Sequence, residues 1–274
     1  MQAFRPAGGP KGPLRTLEYY VPLSTAPIRC AVLQAFGISD KGRVRSTNED
    51  CFAIREELGL LVVADGMGGH NAGEIAAQLA VDVIVDVLES AKALGVRSLS
   101  EGEILDAAVH SAHDRILETA VRAQHYAGMG TTVVAAQVRD GRLAIAHVGD
   151  SRLYLMTNGR LRQLTHDDSW LAAALVDDPD ANPANLEWHP MRNVLTNVVG
   201  ARSRTTVHIG EAALDGGELL LLTTDGVHGV LADAWLERAL STDEDLPDLA
   251  ARVVDGALRR GSRDNCTAIV ARYS

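Results

Sequence analysis

The sequence predicts an α+β chain in which antiparallel β-sheets are covered by helices. Two observations carry this reading. Candidate strands come in groups and do not alternate one-to-one with helices, which disfavours a doubly wound parallel sheet. Neighbouring candidate strands are joined by Asp140-Gly141 and Asn158-Gly159, dipeptides that supply the positive φ angles of tight hairpins. The chain has 274 residues, 46% hydrophobic but only 4% aromatic. One large core is affordable at this length, and it must be built from Ala, Val, Leu and Ile.

Residues 1–28 carry Pro6, Pro10, Pro13, Pro22 and Pro27, so a poorly ordered tail or surface arm is expected there. The folded domain is expected over 29–274. CAVLQAFGIS reads as a strand, followed by a polar loop. CFAI and LGLLVVAD read as strands without clean alternation, both buried on two faces. Asn71-Ala72-Gly73-Glu74 fits a capping box that opens a helix to about Ser90. A second helix is expected over 101–124, with Ile104, Ala108, Ala112 and Ile116 on one face. TTVVAAQV with LAIAHV, and SRLYLM with LRQL, make two hairpins. Residues 167–195 read as a surface flap with a short helical piece. TTVHIG and ELLLLTTD are strands, helices follow near 233–240 and 246–259, and NCTAIVARY closes as a strand.

The formal net charge is −10, which argues against a nucleic-acid binder. An acidic protein can still bind cations and let them hold phosphate. Cys30, Cys51 and Cys266 are three widely spaced cysteines, neither a disulfide framework nor a zinc pattern. A reducing cytoplasmic setting is expected. No run approaches the ~18 apolar residues of a membrane span.

Five aspartates sit where strands meet loops: Asp50, Asp65, Asp150, Asp225 and Asp264. Taken singly, each could be a turn residue or helix cap. An Asp directly after an apolar strand is harder to explain that way, because the strand fixes its backbone and the core shields it from solvent. Several such carboxylates brought together repel one another unless protonated or bridged by cations. No His or Cys joins them at ligand spacing, so an all-oxygen site for Mg²⁺ or Mn²⁺ is indicated. Asp65 is followed by Gly66-Met67-Gly68-Gly69, whose glycines let the backbone turn sharply, so a backbone carbonyl could point at an ion.

Six motifs occur in order: Arg45-Ser46-Thr47-Asn48-Glu49-Asp50, Asp65-Gly66-Met67-Gly68-Gly69-His70, Gly130-Thr131-Thr132, Gly149-Asp150-Ser151-Arg152, Asp225-Gly226 and Asp264-Asn265. Together they resemble the metal-dependent protein phosphatases of type 2C, in their bacterial form, from about Phe36 onward. The resemblance implies a four-layer αββα sandwich and two Mn²⁺ or Mg²⁺ ions. It implies that Asp65 bridges both ions, Gly66 offers its carbonyl, and Asp225 and Asp264 complete one shell. Glu49 and Asp50 act mainly through water, and Asp150 with Asp225 holds a third ion. The implied activity is hydrolysis of phosphoserine and phosphothreonine in proteins, by direct attack of a hydroxide bridging the two ions. Arg45 forks onto the phosphate. A serine/threonine kinase is the implied antagonist, and a monomer is expected.

The chain also departs from the family. Met67 stands where many eukaryotic relatives have a histidine, and His70 reads as structural. The run Thr-x-Asp-His-Ser that the family often shows after the second hairpin here reads Thr165-His166-Asp167-Asp168-Ser169, with Asp168 in place of histidine. Three rival readings bear stating. Cys266 and Arg272 satisfy a Cys-x5-Arg count, but the residues between them are those of a buried strand, not of a glycine-rich phosphate loop. A non-catalytic phosphoprotein-binding module of the same fold would have lost metal ligands, yet Asp65, Asp225 and Asp264 are all present. A phosphatase of a small phosphate ester shares every motif.

Overall fold

The structure, a computed structural model, describes residues 33–69, 72–178, 182, 186 and 189–274. The expected tail over 1–28, Cys30, His70, the Asn71 cap and part of the flap lie outside the described residues.

The chain opens with strands β1 (Leu33–Asp40), β2 (Asp50–Arg55) and β3 (Leu60–Met67), then helices α1 (Ala72–Ala93) and α2 (Glu101–Arg122). Strands β4 (Gly130–Thr131), β5 (Val133–Arg139), β6 (Arg142–Val148), β7 (Arg152–Thr157) and β8 (Arg160–Gln163) follow. Helix α3 (Trp170–Asp177) starts the flap. Strands β9 (His208–Ala213) and β10 (Leu219–Thr223), helices α4 (Asp225–His228), α5 (Asp233–Leu240) and α6 (Leu246–Arg259), and strand β11 (Cys266–Tyr273) complete it.

The strands form two sheets, in the orders β1-β11-β10-β7-β8 and β2-β3-β5-β6-β9, with β4 on β3. Every pairing between strands of these sheets is antiparallel. The two hairpin turns take the predicted form: Asp140 and Gly141 have φ of 49° and 75°, and Asn158 and Gly159 have 51° and 73°.

Strand β3 shows why four layers form. Its alternate residues Leu60, Val62 and Ala64 pack under Ala76, Ala80 and Ile84 of α1 and Leu105 and Ala108 of α2. Leu61 and Val63 point the other way, into the space between the sheets, where they join Leu153, Leu220, Leu222 and Ile269. The outer face of the second sheet, with Tyr154, Leu221 and Val270, is covered by Leu236, Leu249 and Val253 from α5 and α6. A strand buried on both faces needs apolar residues at every position, which is what LLVVA provides.

Helix α2 begins with a full capping box: Ser100 accepts from the Glu103 N–H, and the Glu103 carboxylate accepts from the Ser100 N–H. Helix α6 begins with Asp245 accepting from the Asp248 N–H and a proline in its first turn.

Three expectations are corrected. CFAI is an edge strand: only Ala53 of β2 is buried, because among the described residues β3 is its one partner in the sheet. Strand β9 runs over 208–213, later than TTVHIG implied. Asp65 does not end its strand, since Gly66 and Met67 continue β3 and pair with Thr131 and Gly130. Among the described residues, no helix is long and apolar enough to cross a membrane.

Candidate metal centre

The strand register builds the site. Asp50 pairs directly with Asp65 across β2 and β3. Directly opposite residues of an antiparallel pair project from the same face, with Cβ atoms roughly 5 Å apart, and like charges there repel. Asp150 follows β6, Asp225 follows β10 as the first residue of α4, and Asp264 precedes β11. All five therefore meet at one end of the sandwich, although up to 214 positions separate them in sequence. A cleft of about 520 Å³ there is lined by Arg45, Glu49, Asp65, Gly66, Asp150, Asp225 and Asp264.

Each acidic residue is held by its neighbours. Asp50 Oδ2 accepts from Thr224 Oγ1 at 2.8 Å and Thr267 Oγ1 at 2.6 Å. The Asp65 backbone is held on both sides: its N–H donates to Thr132 Oγ1 at 3.0 Å, and its carbonyl accepts from Thr131 Oγ1 at 2.9 Å and the Thr132 N–H at 2.9 Å. The Glu49 N–H donates to Asn265 Oδ1 at 2.9 Å, while Asn265 Nδ2 donates to the carbonyls of Lys41 and Thr47. Asn265 thus ties the loop carrying Arg45 and Glu49 to the strand start beside Asp264. Arg152 grips Asp167 through two bonds of 2.9 and 2.7 Å, which braces the Gly149–Arg152 segment.

The electrostatics are those of an acidic cluster that Arg45 compensates only in part. Asp65 is held well above the carboxylate range, first by burial and then by the charges of Asp50, Asp225, Asp150 and Asp264. Burial, with Asp225 and Asp264, pushes Asp50 up to about 7 despite its two threonine bonds. Burial and Asp225 push Asp150 to about 7. Burial and Asp264 push Asp225 to about 6. Glu49 is raised by burial, partly offset by Arg45. Burial opposes the Arg45 charge, but its hydrogen bond to Asp264 and the surrounding carboxylates outweigh that and raise its pKa.

Two oxygens test whether the cluster suits cations. Asp50 Oδ1 and Asp225 Oδ1 are buried with no hydrogen-bond partner among the described residues. Orphaned buried acceptors carry a desolvation cost, and a cation is the partner that cancels it along with the mutual repulsion. The donors here are all oxygen, which fits hard divalent ions. No three His, Cys, Asp or Glu side chains among the described residues are already drawn around a single ion position. Arg45 pairs with this cluster, 2.6 Å from Asp264 and 4.0 Å from Glu49.

Every residue the sequence singled out is brought to this end: Arg45, Glu49, Asp65, Gly66, Asp150, Asp225 and Asp264 line the cleft and Asp50 lies beneath it. Sequence reasoning missed the supports, Thr224, Thr267 and the pair Thr131 and Thr132. The threonine pair lay inside a recognised motif and Thr224 lies next to one. Thr267 in a β-strand carries no separate signal, since threonine is an ordinary strand residue.

A four-layer sandwich with an acidic, all-oxygen cleft at one end of its sheets defines the class. Within it, the chain belongs to the protein phosphatase 2C family, whose model matches residues 42–265. The chain is 35% identical over 241 residues to the serine/threonine protein phosphatase PstP of Mycobacterium tuberculosis, covering 88% of this chain. It spans only 45% of that relative's length. It is 32% identical over 238 residues to the serine/threonine phosphatase stp of Listeria innocua, covering 85% of this chain and 92% of the relative. A solved PstP catalytic domain in complex with two manganese ions superposes with a TM-score of 0.77 at 32% identity, covering 89% of this chain and 99% of that one.

Proposed function

We propose that this chain is a divalent-metal-dependent phosphatase of phosphoserine and phosphothreonine in proteins. The carrying observation is the convergence of Asp65, Asp150, Asp225 and Asp264 on one cleft, with an orphaned oxygen on Asp225 and another on Asp50. Asp65, Asp225, Asp264 and the Gly66 carbonyl would hold two ions, Mn²⁺ or Mg²⁺. Glu49 and Asp50 would act mainly through water, and Asp150 with Asp225 would hold a third. Such ions, when bound, supply Lewis-acid activation of water and charge compensation for the phosphoryl group.

The protein's own groups do the rest. Arg45 is about half exposed on the cleft rim, so its fork can exchange Asp264 for phosphoryl oxygens, one anion for another. Thr224 and Thr267 hold Asp50 at a fixed angle, and Thr131 and Thr132 fix the strand beneath Asp65. Preorganised carboxylates of this kind cost no rearrangement during reaction. Asn193, Val194 and Leu195 of the flap border the cleft, where a substrate polypeptide would pass. The same reading keeps residues 29–274 as one catalytic domain, a cytoplasmic setting, a monomer and substrates made by a serine/threonine kinase.

The thiol alternative makes an opposite prediction. Cys266 lies on β11, and its thiol is buried and pushed up by that burial, the reverse of an activated nucleophile. Hydrolysis of a phosphothreonine peptide is expected to stop with a chelator, return with Mn²⁺, and survive iodoacetamide. Loss with iodoacetamide but not with the chelator would overturn the proposal.

A further inference from the structure

Asp168 joins three separate segments. Its Oδ2 accepts from the Gly149 N–H at 3.0 Å and from Asn197 Nδ2 at 2.8 Å. Its Oδ1 lies 2.9 Å from His208 Nε2. The backbone adds two bonds: the Asp168 N–H donates to the Gly149 carbonyl at 3.0 Å, and the Thr196 N–H donates to the Asp168 carbonyl at 2.8 Å. Only 15% of the Asp168 side chain is exposed.

The partners matter for where they sit. Gly149 precedes Asp150 on the cleft wall. Its φ of 96° and the 2.7 Å approach of Thr132 Cγ2 to a built Cβ leave room for glycine alone, so this turn is held by what bonds its backbone. Thr196 and Asn197 end the returning limb of the flap, directly after Asn193, Val194 and Leu195 at the cleft. Asn197 is itself fixed, its Nδ2 also donating to the Thr206 carbonyl at 2.7 Å and its Oδ1 accepting from Thr205 Oγ1 at 3.0 Å. His208 begins β9 and stacks on the buried ring of His147, with centroids 4.9 Å apart.

We propose that Asp168 is a positioning residue that locks the returning limb of the flap to the turn bearing Asp150, so that the rim met by a phosphoprotein is set in register with the cleft wall. A carboxylate suits the task. One oxygen accepts two N–H donors while the other meets His208. A neutral imidazole has a single acceptor nitrogen and cannot serve all three. The carboxylate is thus matched to its partners Gly149, Asn197 and His208. Asparagine can replace it: its carbonyl takes both donors and its amide faces His208 Nε2, an acceptor in one neutral tautomer.

The inference rests on the phosphatase reading for its consequence and on exchange measurements for its geometry. Amide hydrogen exchange over residues 146–151 and 192–198 is compared in the wild type, Asp168→Ala and Asp168→Asn. With Asp168→Ala, both segments are expected to lose protection together, by about tenfold, while Asp168→Asn keeps it. The ratio of kcat/KM for a phosphothreonine peptide to that for p-nitrophenyl phosphate is expected to fall about tenfold in Asp168→Ala, through the peptide KM, and to recover in Asp168→Asn. Unchanged protection in either segment, an unchanged ratio, or an asparagine variant that behaves as alanine would overturn the proposal. Should Asp168→Ala not fold, Asn197→Ala removes one donor: loss of protection over 192–198 with a raised peptide KM supports the lock, and no change overturns it. A wild type that hydrolyses neither substrate sinks the phosphatase reading, while the exchange arms still decide the lock.

Discussion

Replacing Asp65 with asparagine is expected to lower phosphothreonine-peptide hydrolysis by about three orders of magnitude. The loss of several kcal/mol of metal-dependent transition-state stabilisation corresponds to a factor of that size. Asp65 lines the cleft among Asp50, Asp225, Asp150 and Asp264, and its backbone is held by Thr131 and Thr132 independently of the side chain. Asparagine keeps the shape and those bonds but removes the negative charge a cation needs. The metal-free protein should therefore melt no lower than the wild type, since a neutral amide relieves repulsion. What disappears is stabilisation by Mn²⁺. A ligand at a hundred times its Kd adds about 2.7 kcal/mol by mass action, several degrees in Tm for a chain of this size. Differential scanning fluorimetry with and without Mn²⁺ reads this directly. A variant that kept the wild-type rate or the Mn²⁺-dependent rise would remove Asp65 from the centre.

Gly66→Ala should damage fold and site together. A Cβ at Gly66 would overlap the backbone carbonyl of Gly73 and come within 2.7 Å of the Glu49 carbonyl oxygen. Both obstacles are main chain, so neither can rotate away. The Gly66 N–H also donates to that Glu49 carbonyl at 3.1 Å, which places β3, the start of α1 and the Glu49 loop in contact at one point. Overpacking of this kind costs about 1–3 kcal/mol, and it falls beside Asp65. Urea denaturation should show a lower midpoint with an unchanged slope, and activity should fall at least about tenfold, since small misplacements of reacting groups are costly. A variant with wild-type stability and rate would mean that this close approach is not required.

The sequence made some features legible and hid others for physical reasons. Asp140-Gly141 and Asn158-Gly159 announced their hairpins because positive φ is a local demand. The run Leu60 to Ala64 announced a strand buried on two faces because both neighbours are apolar layers. CFAI misled because whether a strand is central or at an edge depends on partners far away in sequence. The helical turn at Asp225–His228 is four residues long, too short for any periodic pattern. The acidic residues were visible as strand-end aspartates and ordered motifs. Their supports were not, because Thr267 supports Asp50 from 217 positions away and Arg45 meets Asp264 from 219. Only the fold reveals such pairs.

The most direct test is Mn²⁺-dependent hydrolysis of a phosphothreonine peptide by the wild type and by Asp225→Ala at the same metal concentration. Asp225 carries an orphaned buried oxygen in the cleft, so its removal should slow the reaction at least about a hundredfold. Equal rates for the two proteins would contradict the proposed metal centre.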